Sequence, residues 1–289
     1  MYGFDELKRD LDCWDAAGAE IGVIGKSALG RELFYVRVGD TAPFRSIVTA
    51  GIHAREHISS YVTAEQIYYT LAHADELEGG VLYLPMLNPD GIELCLHGLK
   101  SVRSRSVAQF LRRINNGTDF SLWKANAHAV DLNCNFPALW GTGTANVFAP
   151  SAESFVGLHP LSEPETSALV AFTHRVRPCF TVSYHAKGRE IYWEFWQSKS
   201  RRERDWRFAQ ACAEVTGYRA VDCAFGSAGG YKDYCISALG IPALTVELVD
   251  DKESHPLPYS CAREEVRRTK TLGIALNRTY EELCKKKTS

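Results

Sequence analysis

The sequence has no long apolar run, no basic surplus and no internal repeat, and each absence excludes a class of protein. No apolar stretch approaches the roughly 20 residues that a membrane-spanning helix needs. The formal net charge of −2, from 33 basic and 35 acidic residues, lacks the basic excess of general nucleic-acid binders and membrane-surface proteins. We therefore expect no nucleic acid and no membrane among its partners.

Paired cysteine motifs are also missing, because the nine cysteines are scattered singly along the chain. An odd and scattered set is typical of reduced, mostly buried thiols. The first residues, MYGFDELKRDLDCW, include acidic side chains and no apolar core of a secretory signal. These features lead us to expect a cytoplasmic protein.

The composition, with 45% hydrophobic and 24% charged residues, is typical of a globular protein. We find no low-complexity linker and no shift in composition along the 289 residues. We therefore expect a single domain that spans residues 1–289.

Apolar spacing predicts strands that alternate with helices. Helical periodicity covers residues 4–17, 57–73, 162–174, 201–215 and 262–285, and strand patterns cover residues 20–39 (two strands), 46–52, 80–87, 179–185, 189–196 and 243–249. Residues 88–91 predict a turn, and the polar residues 100–126 predict a long surface loop. The pattern indicates an α/β fold with a mixed sheet and helices on both faces. Active sites in such sheets collect at the carboxyl ends of strands.

His53 and Glu56 follow a predicted buried strand and can turn toward the same ion. A catalytic zinc takes three protein ligands and leaves one position for water. Alone, a His and a Glu at this spacing are more often an incidental pair on a surface loop. His185, at the end of another predicted strand, is a candidate third ligand, although it could equally be a hydrogen-bonded histidine at a strand end.

Glu247 interrupts the apolar strand at residues 244–248. A carboxylate in such a strand is costly unless it is paired or takes part in chemistry. The alternation of residues also permits a solvated position on an edge strand. Near zinc, Glu247 would take a proton from metal-held water and pass it to the leaving amine.

Taken in order, the segments HAREH, NPDG, VDLNCNF, SYHAKG and TVELV resemble the zinc metallocarboxypeptidase superfamily over about residues 46–257. Within it, the stretches NNGTDFSLWKANAHAVDLN, HPLSEPET, GREIYW, AGGYKDY and HPLP most resemble bacterial γ-D-glutamyl-meso-diaminopimelate peptidases, which cut peptidoglycan peptides. The resemblance implies a single-domain α/β fold with a mixed sheet of about eight strands. It also implies one Zn²⁺ per chain on His53, Glu56 and His185, with Glu247 as general base.

The carboxypeptidases carry an arginine that grips the free α-carboxylate of the substrate, and this chain lacks it. Asn133, which the resemblance implies is a substrate-binding residue, is followed here by Cys134. A thiol cannot make the bidentate, charge-assisted bonds of a guanidinium. Cys134, at a substrate-binding position of the family, is then a small buried filler rather than a nucleophile or an extra metal ligand, and it cannot recognise the carboxylate in either case. A peptide that continues beyond the cut could fit, as an endopeptidase requires.

The resemblance assigns further positions. Lys124 replaces the arginine that stabilises the oxyanion and still supplies positive charge. Arg55 falls where the family contacts the substrate, with a structural salt bridge as the alternative. Phe225 replaces a tyrosine that closes over substrate, and a phenyl ring donates no hydrogen bond. Lys232 occupies the position that sets leaving-side specificity, where a cation suits the D-centre carboxylate of meso-diaminopimelate; alternatively, it caps a helix start beside Asp233, which we expect to bond backbone amides.

The aromatic residues Tyr192, Trp193, Phe195 and Trp196 alternate along a predicted strand, and we assign them to the core. We expect a zinc metallopeptidase that hydrolyses the γ-D-glutamyl-meso-diaminopimelate bond of cell-wall peptides. Two alternatives stay open: a zinc carboxypeptidase or N-acyl amino acid deacylase of other specificity, and a catalytically silent zinc-binding module. Glu247 argues against the silent module, because such a module needs no base beside zinc.

Overall fold

A computed structural model describes residues 1–40, 45–222 and 226–288 of the chain. The strands are β1 Glu20–Lys26, β2 Glu32–Gly39, β3 Arg45–Thr49, β4 Gly80–Leu84, β5 Phe180–Ala186, β6 Glu190–Tyr192, β7 Arg219–Val221 and β8 Ala243–Leu248. They form one eight-stranded sheet in the order β1-β2-β4-β3-β5-β8-β6-β7. Neighbours from β4 to β8 in this order are parallel, whereas β1, β2 and β6 each pair antiparallel with a neighbour. The expected mixed α/β sheet is thus confirmed.

Helices cover both faces of the sheet. They are α1 Phe4–Ala16, α2 Ile58–Ala72, α3 Pro89–His97, α4 Arg105–Ile114, α5 Pro164–Val176, α6 Lys199–Thr216, α7 Tyr231–Tyr234, α8 Ala262–Thr269 and α9 Leu272–Thr288. None of the helices described is long and apolar enough to cross a membrane.

The central strands are buried on both faces, so successive side chains enter different cores. Ile47 of β3 belongs to the core shared with α5 and α7, and its neighbour Val48 belongs to the opposite core with α1, α2 and α6. A third, smaller core joins α4 to the segment that follows it, through Leu111, Phe120 and Trp123. This small core fixes the chain just before Lys124.

Several element predictions were wrong, each for a local reason. Residues 100–126 are not an irregular loop: they contain α4, with Ser104 as its N-cap, and its spaced apolar residues face the third core. Residues 88–91 are not an isolated turn, because Asn88 Oδ1 accepts a hydrogen bond from Gly91 N at 3.0 Å and starts α3.

The boundaries of two other elements also differ from the prediction. The expected strand at residues 189–196 is only three residues long, because β6 ends at Tyr192. The expected C-terminal helix is divided into α8 and α9, with the break between Thr269 and Leu272. A side chain at Gly273 would crowd the hydroxyl of Tyr83, so α9 approaches the sheet closely at this point.

Candidate metal centre and active site

His53, Glu56 and His185 meet at the carboxyl ends of β3 and β5. After β3, Gly51 adopts a positive φ of 64° and leads the chain to His53. A short 3₁₀ turn, Ala54–Glu56, then turns Glu56 toward His185, the next-to-last residue of β5. The ligand atoms of the three side chains lie within 4.8 Å of one another.

The donor atoms of this trio point at one another. Nδ1 of His53 is 3.1 Å from Nδ1 of His185. The Glu56 carboxylate oxygens lie 2.9 Å from Nδ1 of His53 and 3.3 Å from Nδ1 of His185. Two ring nitrogens and a carboxylate that face one buried point are a donor set that suits zinc, with a position left for water. The residues present therefore fit the metal that the sequence implies.

Charge couples the members of this group. Burial alone would raise the pKa of Glu56, but His53 and His185 outweigh it and hold that pKa well below its ordinary value. Burial alone would lower the pKa of His53, but the carboxylates of Glu56 and Asp131 raise it overall. Glu56 is therefore held in the ionised form that a metal ligand needs.

Asp131 connects His53 to Lys124. Its Oδ1 is 3.1 Å from Nε2 of His53, and its Oδ2 is 3.0 Å from Nζ of Lys124. A carboxylate on Nε2 fixes the ring tautomer and leaves Nδ1 free for the metal. We assigned no role to this residue from sequence, although an acid between the apolar Val130 and Leu132 was a usable signal.

Glu247 lies on β8 directly opposite His185 of β5. Because β8 lies between β5 and β6, the solvated edge-strand alternative is wrong. Burial raises the pKa of Glu247 to about 8; His185 and Lys124 act against the rise, and Glu56 adds to it. Glu247 thus stands beside the metal ligands in an environment that favours holding a proton.

A small cavity of about 170 Å³ borders this group, and His53, Lys124, Asp131, Asn133 and Cys134 line it. Burial opposes the charge on Lys124, but Asp131 and Glu56 outweigh it and raise the Lys124 pKa. Burial raises the pKa of the Cys134 thiol, so a neutral group stands there.

A second and larger cavity, of about 630 Å³, has Glu247 on its wall. Asn133 lines both cavities, which therefore adjoin. The assignment of the aromatic cluster to the core was wrong in part, because Tyr192, Phe195 and Trp196 line this cavity. Trp193 is 2% exposed in the core, whereas Trp196 is 80% exposed at the cavity rim. Both tryptophans follow the end of β6 at Tyr192, where the alternation of a strand no longer predicts burial.

Lys232 is also on the wall of the larger cavity. Its Nζ lies 2.6 Å from Oδ1 of Asp233 and 3.0 Å from the carbonyl oxygen of Glu194. Asp233 Oδ2 accepts a hydrogen bond from Gly230 N at 3.1 Å, which is the helix-start contact expected for it. An ammonium has three protons, so these two contacts leave one for a ligand.

For two predicted site residues, the described part of the chain gives no contact with these cavities. Nη1 of Arg55 lies 3.0 Å from Oε2 of Glu153, and Arg55 is not among the residues that line either cavity. Phe225 lies outside the described residues. Substrate contact by these two positions stays a prediction.

Comparison with known proteins gives the chain a family. Residues 17–271 match the family model described as zinc carboxypeptidase. The chain is 31% identical over 254 residues to gamma-D-glutamyl-L-diamino acid endopeptidase 1 of Lysinibacillus sphaericus. This alignment covers 82% of this chain and 62% of that protein. It is 32% identical over 168 residues to murein peptide amidase A of Escherichia coli strain K12, covering 56% of this chain and 57% of that one. The chain thus spans about three fifths of the length of these two relatives.

Solved structures show the same fold. Bovine thrombin-activatable fibrinolysis inhibitor, in complex with tick carboxypeptidase inhibitor, superposes with a TM-score of 0.79 at 20% identity, over 99% of this chain and 98% of that one. Murein-tripeptide amidase MpaA from Escherichia coli O157 superposes with a TM-score of 0.58 at 23% identity, over 90% and 94% of the two chains. The family match over most of the sequence shows that this protein belongs to the zinc carboxypeptidase family of zinc-dependent hydrolases.

Proposed function

We propose that this protein hydrolyses the γ-D-glutamyl-meso-diaminopimelate bond of peptidoglycan peptides, with one zinc per chain on His53, Glu56 and His185. The observation that carries the proposal is the cavity of about 630 Å³ beside Glu247. Its wall contains the ammonium of Lys232 together with the carboxylates of Glu194 and Asp233. The two relatives named as a gamma-D-glutamyl-L-diamino acid endopeptidase and a murein peptide amidase support it.

The chain's own residues divide the chemistry among them. Zinc, when bound, acts as a Lewis acid and lowers the pKa of water. The carboxylate of Glu247 takes a proton from the attacking water and delivers it to the leaving nitrogen. Nζ of Lys124 stabilises the negative charge that develops on the scissile carbonyl oxygen. Asp131 orients both His53 and Lys124 for these roles.

The charges of the larger cavity suit a zwitterionic leaving group. Lys232 has one proton left for a carboxylate, while Glu194 and Asp233 add negative charge to the same wall. The Glu194 carboxylate lies 2.8 Å from Nε of Arg202 and keeps acceptor capacity for an ammonium. The D-centre of meso-diaminopimelate carries one ammonium and one carboxylate. It matches this wall better than a simple anion does.

The residue at position 134 supports cleavage inside a peptide. Cys134 lines the small cavity as a neutral thiol and offers no charge to a terminal carboxylate. Asn133, which borders both cavities, is placed to contact the peptide on either side of the cut. A D-alanine after the diaminopimelate is therefore compatible with this site.

We further propose that residues 1–289 act as one catalytic domain in the cytoplasm. The eight cysteines that the structure describes are free thiols. Free thiols at this number are typical of a reducing compartment.

The test compares three tetrapeptides, L-alanyl-γ-D-glutamyl-X-D-alanine, in which X is meso-diaminopimelate, lysine or 2-aminopimelate. Lysine lacks the D-centre carboxylate, and 2-aminopimelate lacks its ammonium. We expect kcat/KM for the lysine peptide to be about 10- to 150-fold lower, from the roughly 1.5–3 kcal/mol of a hydrogen bond to a charged group. In Lys232→Met, the kcat/KM values for the diaminopimelate and lysine peptides should become nearly equal. In Glu194→Gln, the kcat/KM values for the diaminopimelate and 2-aminopimelate peptides should become nearly equal.

For each variant, the result is the ratio of its kcat/KM values for two peptides. A general loss of activity lowers both values and leaves this ratio unchanged. Lys252→Met, which removes an exposed lysine outside both cavities, serves as the control. Equal hydrolysis of all three peptides by the unaltered protein would remove the proposed specificity. Faster hydrolysis of N-acyl amino acids than of any tetrapeptide would identify a deacylase instead.

A further inference from the structure

Between Glu93 and Asp119 the chain carries five basic residues and no acidic one. All five are exposed, and none forms an ion pair with a described residue. We call this set the basic face; it consists of Lys100, Arg103, Arg105, Arg112 and Arg113. Three of these residues lie on α4, the helix that our sequence analysis missed, and the other two lie just before it.

The geometry of α4 places its three arginines together. At about 100° per residue, Arg105, Arg112 and Arg113 fall within roughly 100° of one another. Leu111, on the opposite side of the helix, is fully buried in the third core. Lys100 and Arg103 immediately precede the N-cap Ser104 and extend the charge past the helix start. The exposed side of α4 is therefore a continuous positive strip.

Helix stability does not account for this arrangement. The first turn of α4 has no acidic residue, and Arg105 lies at the helix N-terminus, where the macrodipole disfavours a cation. Unpaired like charges at this density also repel one another. A partner with complementary charge would relieve both effects.

We infer that the basic face docks on the surface of an anionic phospholipid bilayer. The other 28 basic and 35 acidic residues sum to −7, so the rest of the molecule is acidic. A negative surface then attracts the basic face and repels the remainder, which sets the orientation. Docking of this kind needs no membrane-spanning helix and is independent of the substrate proposed above.

A bilayer fits the basic face better than a nucleic acid does. Sites for single-stranded nucleic acid combine positive charge with exposed aromatic rings on which bases stack. Phe110, the aromatic residue of α4, packs against the third core instead. The basic face consists of the exposed side of one helix and the segment before it. A flat bilayer surface that approaches this side of α4 meets its three arginines together. The inference departs from our expectation of no membrane partner, which rested on the average charge; the net charge of −2 is the sum of a basic segment and an acidic remainder.

The test is co-sedimentation of the zinc-loaded protein with vesicles of phosphatidylcholine alone or with about 30% phosphatidylglycerol. We expect binding to the anionic vesicles at low salt, and its loss as salt rises. The triple variant Arg105→Gln, Arg112→Gln, Arg113→Gln should bind about 100-fold more weakly, since each basic residue near such a surface contributes roughly a fivefold factor. Its unfolding temperature should not fall, because these side chains are exposed and form no ion pair with a described residue.

A matched control removes three exposed basic residues from other helices: Lys199→Gln, Arg263→Gln and Arg278→Gln. It should bind like the unaltered protein. Equal binding to neutral vesicles, or equal weakening in both triple variants, would overturn the inference. Tighter binding of RNA or duplex DNA than of anionic vesicles, lost in the arginine variant, would overturn it in favour of a nucleic-acid site.

Discussion

Nζ of Lys124 lies 3.0 Å from Oδ2 of Asp131, and the other oxygen of the same carboxylate holds Nε2 of His53. One buried carboxylate thus positions both a candidate metal ligand and the candidate oxyanion-stabilising cation. The arrangement also keeps Lys124 charged in a buried setting, because Asp131 raises its pKa against the effect of burial.

Replacement of Asp131 should therefore damage two functions at once. Asp131→Asn removes the charge that orients His53, so we expect zinc affinity to fall about 10- to 100-fold. Lys124→Met should leave zinc affinity near normal and lower kcat by about 100- to 1,000-fold, the range for loss of one oxyanion donor. Chelator competition measures the first effect, and peptide hydrolysis at saturating zinc measures the second. Normal zinc affinity in Asp131→Asn would separate this residue from the metal site.

Removal of a metal ligand should release the metal. Each of His53→Ala, Glu56→Ala and His185→Ala deletes one of the three proposed protein ligands, so zinc content should fall from the proposed one per chain to a small fraction. Elemental analysis after dialysis checks this. His159→Ala, at an exposed histidine whose Nδ1 is 3.0 Å from the carbonyl oxygen of Pro160, should keep its zinc. A full zinc complement in His185→Ala would exclude that residue from the site.

Glu247→Gln separates proton transfer from metal binding. The amide keeps the shape of the side chain and cannot accept the proton, so kcat should fall by at least ~100-fold. Zinc content should not change, because Glu247 is not in the ligand group. Turnover is measured on the diaminopimelate tetrapeptide. If the variant turns over at a near-normal rate, another group is the base.

Glu165 should make stability depend on pH. It is fully buried, its Oε1 accepts a hydrogen bond from Ala28 N at 2.9 Å, and burial raises its pKa from 4.5 to about 7. Between these pH values the folded chain keeps a proton that the unfolded chain releases, so stability falls as pH rises and levels off above about 7. In Glu165→Gln, the decrease in the free energy of unfolding over this pH range should be smaller by up to about 3 kcal/mol.

Urea unfolding at pH 5 and pH 8 measures the effect, as the difference between the variant and the unaltered protein. Glu282→Gln, at an exposed position on α9, is the control and should show the original pH dependence. An unchanged fall in Glu165→Gln would assign the pH dependence to other groups.

The sequence was sufficient to predict the strands that carry the site. β3, β5 and β8 are largely buried and mostly apolar, and such strands are recognisable in the sequence. His53 follows β3 by four residues, and His185 and Glu247 are each the next-to-last residue of their strands. Long-range proximity of these residues followed from the rule that parallel strands share a carboxyl edge.

The remaining features depend on contacts that no local pattern encodes. Lys232 was predicted to face a substrate carboxylate or to cap a helix start, and the sequence did not indicate its contact with the carbonyl oxygen of Glu194, 38 residues away. α4 is different, because Val107, Phe110, Leu111 and Ile114 do recur at helical spacing. It was missed because the polar and basic residues around them were interpreted as a surface loop. Asp131 gained its role through His53, which lies 78 residues earlier.

His185 and Glu247 occupy facing positions on the adjacent parallel strands β5 and β8. The backbone hydrogen bonds between these strands therefore fix the distance between the candidate metal ligand His185 and the candidate base Glu247. Glu194 and Trp196 lie instead beyond the end of β6, and Lys232 lies on the four-residue helix α7. The proposed catalytic residues thus lie on the sheet, and the residues proposed to select the leaving group lie on loops and a short helix. Insertions or substitutions in the latter segments can give a descendant of this protein a new leaving group while the hydrolytic centre keeps its dimensions.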